Sequence, residues 1–151
     1  MKNDRCLWEA EWVIPSELAE GSRVLEEILE QLANHEWGTH DIYSVRLALD
    51  EAIVNAIKHG NRHDESKQVR IACKLRPREL WVEIADEGPG FDPTAVPDCT
   101  CEENLEVPSG RGLMLMRCFM SRVEYNQRGN SVVMEKQRAE KAPDDAKPSQ
   151  P

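Results

Sequence analysis

The sequence predicts an α+β domain, a two-layer sandwich in which one mostly antiparallel mixed sheet lies under a layer of helices. Two observations carry this. Apolar residues alternate with a period of two in some segments and recur with the helical period in others. These segments run in the order β-α-α-β-β-loop-α-β-β, so paired strands come in runs and the helices gather together. At 151 residues the chain is one ordinary domain, long enough to bury a real core.

Residues 6–14 alternate. Cys6, Trp8, Ala10, Trp12 and Ile14 share one face, and Glu9 and Glu11 the other, as in a half-buried edge strand. Pro15-Ser16 ends the strand. Ser16 is a candidate cap for a helix whose apolar stripe is Leu18, Leu25, Ile28, Leu29 and Leu32. A turn at Trp37-Gly38 follows, and Thr39 is a candidate cap for a second helix that runs to His59. Ile42, Val45, Leu49, Ile53 and Ala56 are its core face, and Gly60-Asn61 stops it. Val69–Leu75 and Leu80–Ala85 are strands joined at Pro77-Arg78-Glu79. Residues 92–108 hold three prolines, several acids and little periodicity, and loops this long inside a domain are functional or mobile. Leu113–Met120 is a short helix. Arg122–Tyr125 and Ser131–Lys136 are strands connected around Arg128-Gly129-Asn130. Residues 1–138 form the domain, and 139–151, rich in Pro, Asp, Lys and Ser, read as a disordered tail.

Three motifs carry the chemistry. In the first, Glu51 and Asn55 stand one helical turn apart, with Cβ atoms about 5–6 Å from each other. Magnesium prefers oxygen ligands and keeps several waters, so one amide oxygen from Asn55 plus phosphate oxygens suits it. Glu51 is then free to orient or deprotonate an attacking hydroxyl. In the second, Asp86 ends a strand ahead of Gly88 and Gly90. A carboxylate accepts from adenine's exocyclic amine, whereas guanine presents a carbonyl there, and the glycines permit close backbone approach. In the third, Gly110 and Gly112 open the helix at Leu113, where backbone N–H groups attract phosphate. Arg111 either touches phosphate or faces solvent. The Lys-Ser/Thr ending of a Walker loop is missing, and the spacing is not that of the dinucleotide fingerprint. Each motif alone has a bland reading, as an exposed pair or a good turn. Their joint presence is what is specific.

Composition narrows the partners. Hydrophobic residues at 40% and charged residues at 31% describe a globular chain. With 19 basic against 28 acidic residues the formal net charge is -9, and no basic run offsets it, which argues against direct nucleic-acid binding. No apolar run spans a bilayer and the start carries no secretory pattern, so no membrane association and a cytoplasmic location are expected. Five scattered cysteines read as reduced thiols. Cys99 and Cys101 lack the second pair that a zinc site needs, and His59 and His63 are separated by the helix-breaking Gly60-Asn61. The methionines Met114, Met116 and Met120 read as core or loop packing rather than a binding surface.

The segments Ala48–Ala52 and Asn55–Asn61, Asp86–Phe91 and Gly110–Met116 resemble the three boxes of the ATP-binding domain shared by gyrase-type ATPases, heat-shock chaperones of that class and histidine kinases. Within that superfamily the likeness is to bacterial anti-sigma factor serine/threonine kinases, over residues 8–137. The resemblance implies a Bergerat-type fold, with ATP and Mg2+ as ligands. It implies Asn55 as the metal ligand and Glu51 as catalytic. The nucleotide would contact Asn55, Asp86, Gly88, Gly90, Gly110, Arg111, Gly112 and Leu113. Ser131 matches by strand position a hydroxyl that some relatives direct at adenine. Residues 92–108 match an ATP lid. The implied activity is sequestration of a sigma factor and phosphorylation of a STAS-type anti-anti-sigma protein, by a chain that can form a homodimer. The rival reading is a non-catalytic module in which the nucleotide only gates protein binding. A histidine kinase would need a phosphoacceptor helix pair upstream of the first box, and a gyrase-like ATPase a second domain with a catalytic lysine.

Overall fold

A computed structural model describes residues 5–89 and 116–139. Five strands form one sheet in the order β1-β2-β3-β5-β4, and every neighbouring pair among them is antiparallel. The strands are β1 (Trp8–Pro15), β2 (Gln68–Arg76), β3 (Glu79–Ala85), β4 (Arg122–Tyr125) and β5 (Ser131–Gln137). Between β1 and β2 lie α1 (Leu18–Asn34) and α2 (Thr39–Val54), and α2 continues into a π-helical turn, Asn55–Gly60. The α+β class and the edge position of β1 are as expected from the sequence. The sheet is antiparallel throughout the described strands rather than mixed.

The two layers follow from the residue pattern. Along β2 and β3, Val69, Ile71, Cys73, Leu75, Leu80, Val82 and Ile84 are buried while their neighbours are not. β5 adds Val132 and Met134 to the same face. Val24, Leu25, Ile28, Leu29 and Leu32 of α1, with Val45, Leu49 and Ile53 of α2, cover that face. Leu18, expected in the α1 stripe, is exposed because it is the first helical residue, and Ile42 is only partly buried. Met116, the first of the helical residues 116–119, and Met120, just after them, are buried in the core as expected.

Neither expected cap forms. The extended residue before α1 is Glu17, and that before α2 is Gly38; neither helix start has a side-chain cap bond. Ser16 instead turns inward and is 2% exposed. Its hydroxyl donates to Lys67 O at 2.7 Å and accepts from Asn61 Nδ2 at 3.0 Å.

Asn61 is the residue around which these segments meet. Its Nδ2 also donates to Gln68 O at 3.0 Å, and its Oδ1 accepts the Glu87 N–H at 2.8 Å. One buried amide thus fixes the end of the π turn, the entry to α1, the start of β2 and the exit from β3. The α2 helix was expected to run regularly to His59. It widens at Asn55 instead, and the Asn61 N–H bonds back five residues to Ala56 O at 2.8 Å. Such π turns cluster at functional sites.

The opposite end of β5 is also tied down. Ala139 N–H donates to Asp41 Oδ2 at 2.9 Å, and Lys136 Nζ lies 3.9 Å from Asp41 Oδ1 while donating to Phe119 O at 2.9 Å. Arg138 donates to Glu36 O at 2.6 Å, and its guanidinium lies 5.6 Å from the centre of the Trp37 ring.

Replacing Asn61 leaves several buried partners unsatisfied, each costing about 1–3 kcal/mol. Asn61→Ala is expected to lower the unfolding free energy by about 3 kcal/mol in urea denaturation. A loss under about 1 kcal/mol would show that water replaces the amide at no cost.

Candidate functional site

At the end of the sheet where α2 stops, a cleft opens between the helical layer and the strands. Ala52, Asn55, Ala56, His59 and Gly60 line it from the helix side, and Ile84, Asp86, Tyr125, Asn130, Ser131 and Val132 from the sheet side. Three residues singled out by sequence, Asn55, Asp86 and Ser131, therefore border one cavity although they are far apart in the chain.

Asp86 follows the last residue of β3. Its N–H donates to Asn130 O at 2.9 Å, and its Oδ1 accepts the Gly88 N–H at 2.7 Å. Its carboxylate packs against the Cα of Gly60, so that a Cβ there would occupy the carboxylate's own position. A Cβ on Gly88 would likewise overlap the carbonyl of Gly60. These two glycines are needed because the backbone after β3 and the end of the π turn are in contact, with no room for a side chain between them. Burial raises the pKa of the Asp86 carboxyl above its ordinary value, against the lowering effects of the Gly88 N–H and Lys67.

Glu51 is half-buried on α2, one turn before Asn55. It does not itself line the cavity among the described residues, but its charge reaches it. Burial, followed by the carboxylates of Asp86 and Glu51, pushes the Tyr125 phenol up to about 12. Tyr125 therefore remains a neutral hydroxyl through the physiological range.

Ser131 borders the cavity, yet its hydroxyl is committed elsewhere. It donates to Glu83 Oε2 at 3.3 Å, and Ser131 pairs with Ala85, on the sheet face away from Ile84. The inward position is the preceding residue. Asn130 donates from Nδ2 to Gly88 O at 3.3 Å. The turn that presents it is organised by Asn126, whose Oδ1 accepts from Gly129, Asn130 and Ser131 N–H groups at 2.8, 3.0 and 3.2 Å. Neither Asn130 nor Tyr125 stood out by sequence. Strand parity was the available signal, since Val132 and Met134 facing inward imply that Asn130 does too.

The remaining assignments, Gly90, Gly110, Arg111, Gly112, Leu113 and the 92–108 segment, lie outside the described residues, as do Cys99 and Cys101. Cys73 is buried, while Cys6 and Cys118 are exposed free thiols. Among the described residues no group of three or more His, Cys, Asp or Glu side chains could hold a metal. No helix among them is long and apolar enough to cross a membrane.

The raised Asp86 pKa has a sign that can be tested. A carboxyl easier to protonate when folded disfavours folding once it ionises, so its cost sets in as pH rises from 3.8 through the folded-state value. Asp86→Asn keeps an oxygen for the Gly88 N–H and removes the charge. Its ligand-free form is expected to be at least as stable as wild type at pH 7, with the difference shrinking as pH falls toward 4. Urea unfolding at both pH values measures this, and a variant less stable at pH 7 than wild type would contradict it.

The profile of the family described as "Histidine kinase-like ATPase domain" matches residues 14–136. The serine/threonine-protein kinase BtrW of Bordetella bronchiseptica is 30% identical over 103 residues, covering 66% of this chain and 72% of that protein. The anti-sigma F factor of Oceanobacillus iheyensis is 33% identical over 103 residues, covering 64% and 70%. A solved structure of the RsbU and RsbW domains of a Mycobacterium tuberculosis protein superposes with a TM-score of 0.59 at 15% identity. That match covers 87% of this chain and 32% of the other, and shows a shared fold. The profile spans both layers of the sandwich and every described residue of the cavity, so the chain belongs to the histidine kinase-like ATPase family.

Proposed function

We propose that this chain is an ATP-dependent serine/threonine protein kinase that acts as an anti-sigma factor, binding a sigma factor and phosphorylating a STAS-type protein in the cytoplasm. The carrying observation is the half-buried Asp86 carboxylate, the one acidic side chain among the described residues lining a cavity whose apolar wall includes Ala52, Ala56, Ile84 and Val132. An apolar wall beside one anionic acceptor suits a flat base that offers an amine. The names of the relatives, a serine/threonine kinase and anti-sigma F factors, supply the class of partner.

Asp86 would accept from the exocyclic amine, and Gly88, and Gly90 beyond it, would let backbone approach the base. Gly110, Arg111, Gly112 and Leu113 would hold the phosphates. Asn55 fits a magnesium site of the kind that uses one protein oxygen and completes its shell with phosphate and water. Bound there, the ion would neutralise phosphate charge. Glu51 would take the proton of the attacking hydroxyl, because it stands one turn from Asn55 and beside the cavity rather than in it.

Two outcomes are expected. Calorimetry on the full chain should show strong preference for ATP over GTP in magnesium, and Asp86→Asn should lose about 1–3 kcal/mol of ATP affinity. Equal affinity for the two nucleotides would remove Asp86 from base recognition. Glu51→Ala should bind ATP nearly as wild type while transfer of labelled phosphate to a STAS protein falls about 10²–10⁴-fold. Full transfer by that variant would exclude Glu51 as the base. A wild type that binds ATP but phosphorylates no STAS protein of its host would favour the nucleotide-gated module.

A further inference from the structure

Asp86 cannot by itself account for a preference for ATP. Adenine carries an exocyclic amine at the position that matters, and so does cytosine, whereas guanine and uracil-type bases present a carbonyl. A carboxylate therefore separates ATP and CTP from GTP and UTP and leaves the first two alike. A second determinant has to sense the size of the ring system.

Tyr125 is placed to do so. Along β4, Val123 and Tyr125 pack against the core while Arg122 and Glu124 are exposed. The register sets Tyr125 directly opposite Val132, and both line the cavity with Ile84. The hydroxyl lies 3.9 Å from the Sδ of the fully buried Met116, and the side chain lines the cavity wall. Among the described residues that line the cavity, His59 is the aromatic side chain on the helix wall and Tyr125 the one on the sheet wall, beside Ile84 and Val132.

On the nucleotide-site reading above, we propose that Tyr125 is a specificity-determining residue. Its ring packs on the part of a purine that a pyrimidine lacks, and so selects ATP over CTP while Asp86 rejects GTP. Aromatic contact with a base contributes about tenfold in affinity.

The test is calorimetric binding of ATP, CTP and GTP, with magnesium, to the full chain and to Tyr125→Phe and Tyr125→Val. The Phe variant should keep the wild-type ATP-to-CTP ratio. The Val variant should lose about tenfold of that ratio while its ATP-to-GTP ratio is unchanged. A purely structural role would weaken all three nucleotides together, and an unchanged ATP-to-CTP ratio in the Val variant would overturn the proposal. If that variant fails to fold by circular dichroism, fluorine NMR of the 3-fluorotyrosine-labelled wild type decides. The chain has two tyrosines, Tyr43 and Tyr125, and Tyr43→Phe assigns them. Saturating ATP should move the Tyr125 resonance more than CTP does, and an unmoved resonance would overturn the proposal. A wild type that binds no nucleotide would refute the site itself, a result distinct from binding without Tyr125's selectivity.

Discussion

A single buried amide sets the geometry of the nucleotide end of the molecule. Asn61 has no charge and little apolar surface, yet it joins four chain segments through directional bonds. Hydrophobic burial would hold α1, α2 and the sheet together in many slightly different arrangements. The amide accepts one. It fixes where the π turn ends relative to the exit of β3, which in turn decides that Gly60 and Gly88 touch and that the Asp86 carboxylate lies against the helix end. The directional bonds of one polar side chain thus convert a loosely specified apolar sandwich into a cavity with a defined floor.

The site works against the stability of its own fold. Burial disfavours the ionised Asp86, and the π turn replaces regular helix just where Asn55, His59 and Gly60 line the cleft. Arg62 and His63, directly after it, both hold left-handed backbone with φ of 53° and 59°. Non-glycine residues in that region cost about 1–3 kcal/mol each unless the surroundings hold them. Here the bonds from His63 N–H to Ile57 O and from Asp64 N–H to Asn61 O do so. The compensating core, built from the alternating strands and the two helices, lies deeper in the sandwich.

The sequence disclosed what depends on local pattern. Period-two alternation located the strands within a residue or two, and the helical stripe found α1 and α2. The acids and amides of the first two boxes were legible because their spacing is local: Glu51 to Asn55 is one turn, and Asp86 to Gly88 one tight bend. What stayed hidden was non-local or a matter of parity. Asn61 looked like an ordinary helix stop because its partners Ser16 and Glu87 lie 45 and 26 residues away. Ser16 looked like a cap for the same reason. Ser131 was named for its strand position, and Asn130, one residue earlier, shares the parity of Val132 and Met134, because successive residues of a strand point to opposite faces of the sheet. Tyr125 drew no notice since its significance comes only from lying across from Val132.

Far from the cleft, the end of β5 is bound to the beginning of α2 through Ala139, Lys136 and Asp41. The start of β5 and the end of α2 are the opposing walls of the cleft. Strand and helix therefore resemble the two long rails of a frame, and the Asp41 contacts are its rear crosspiece. Spreading the rails at the front would load that crosspiece, so the gauge of the opening is set partly by three residues that no ligand in the cleft could reach.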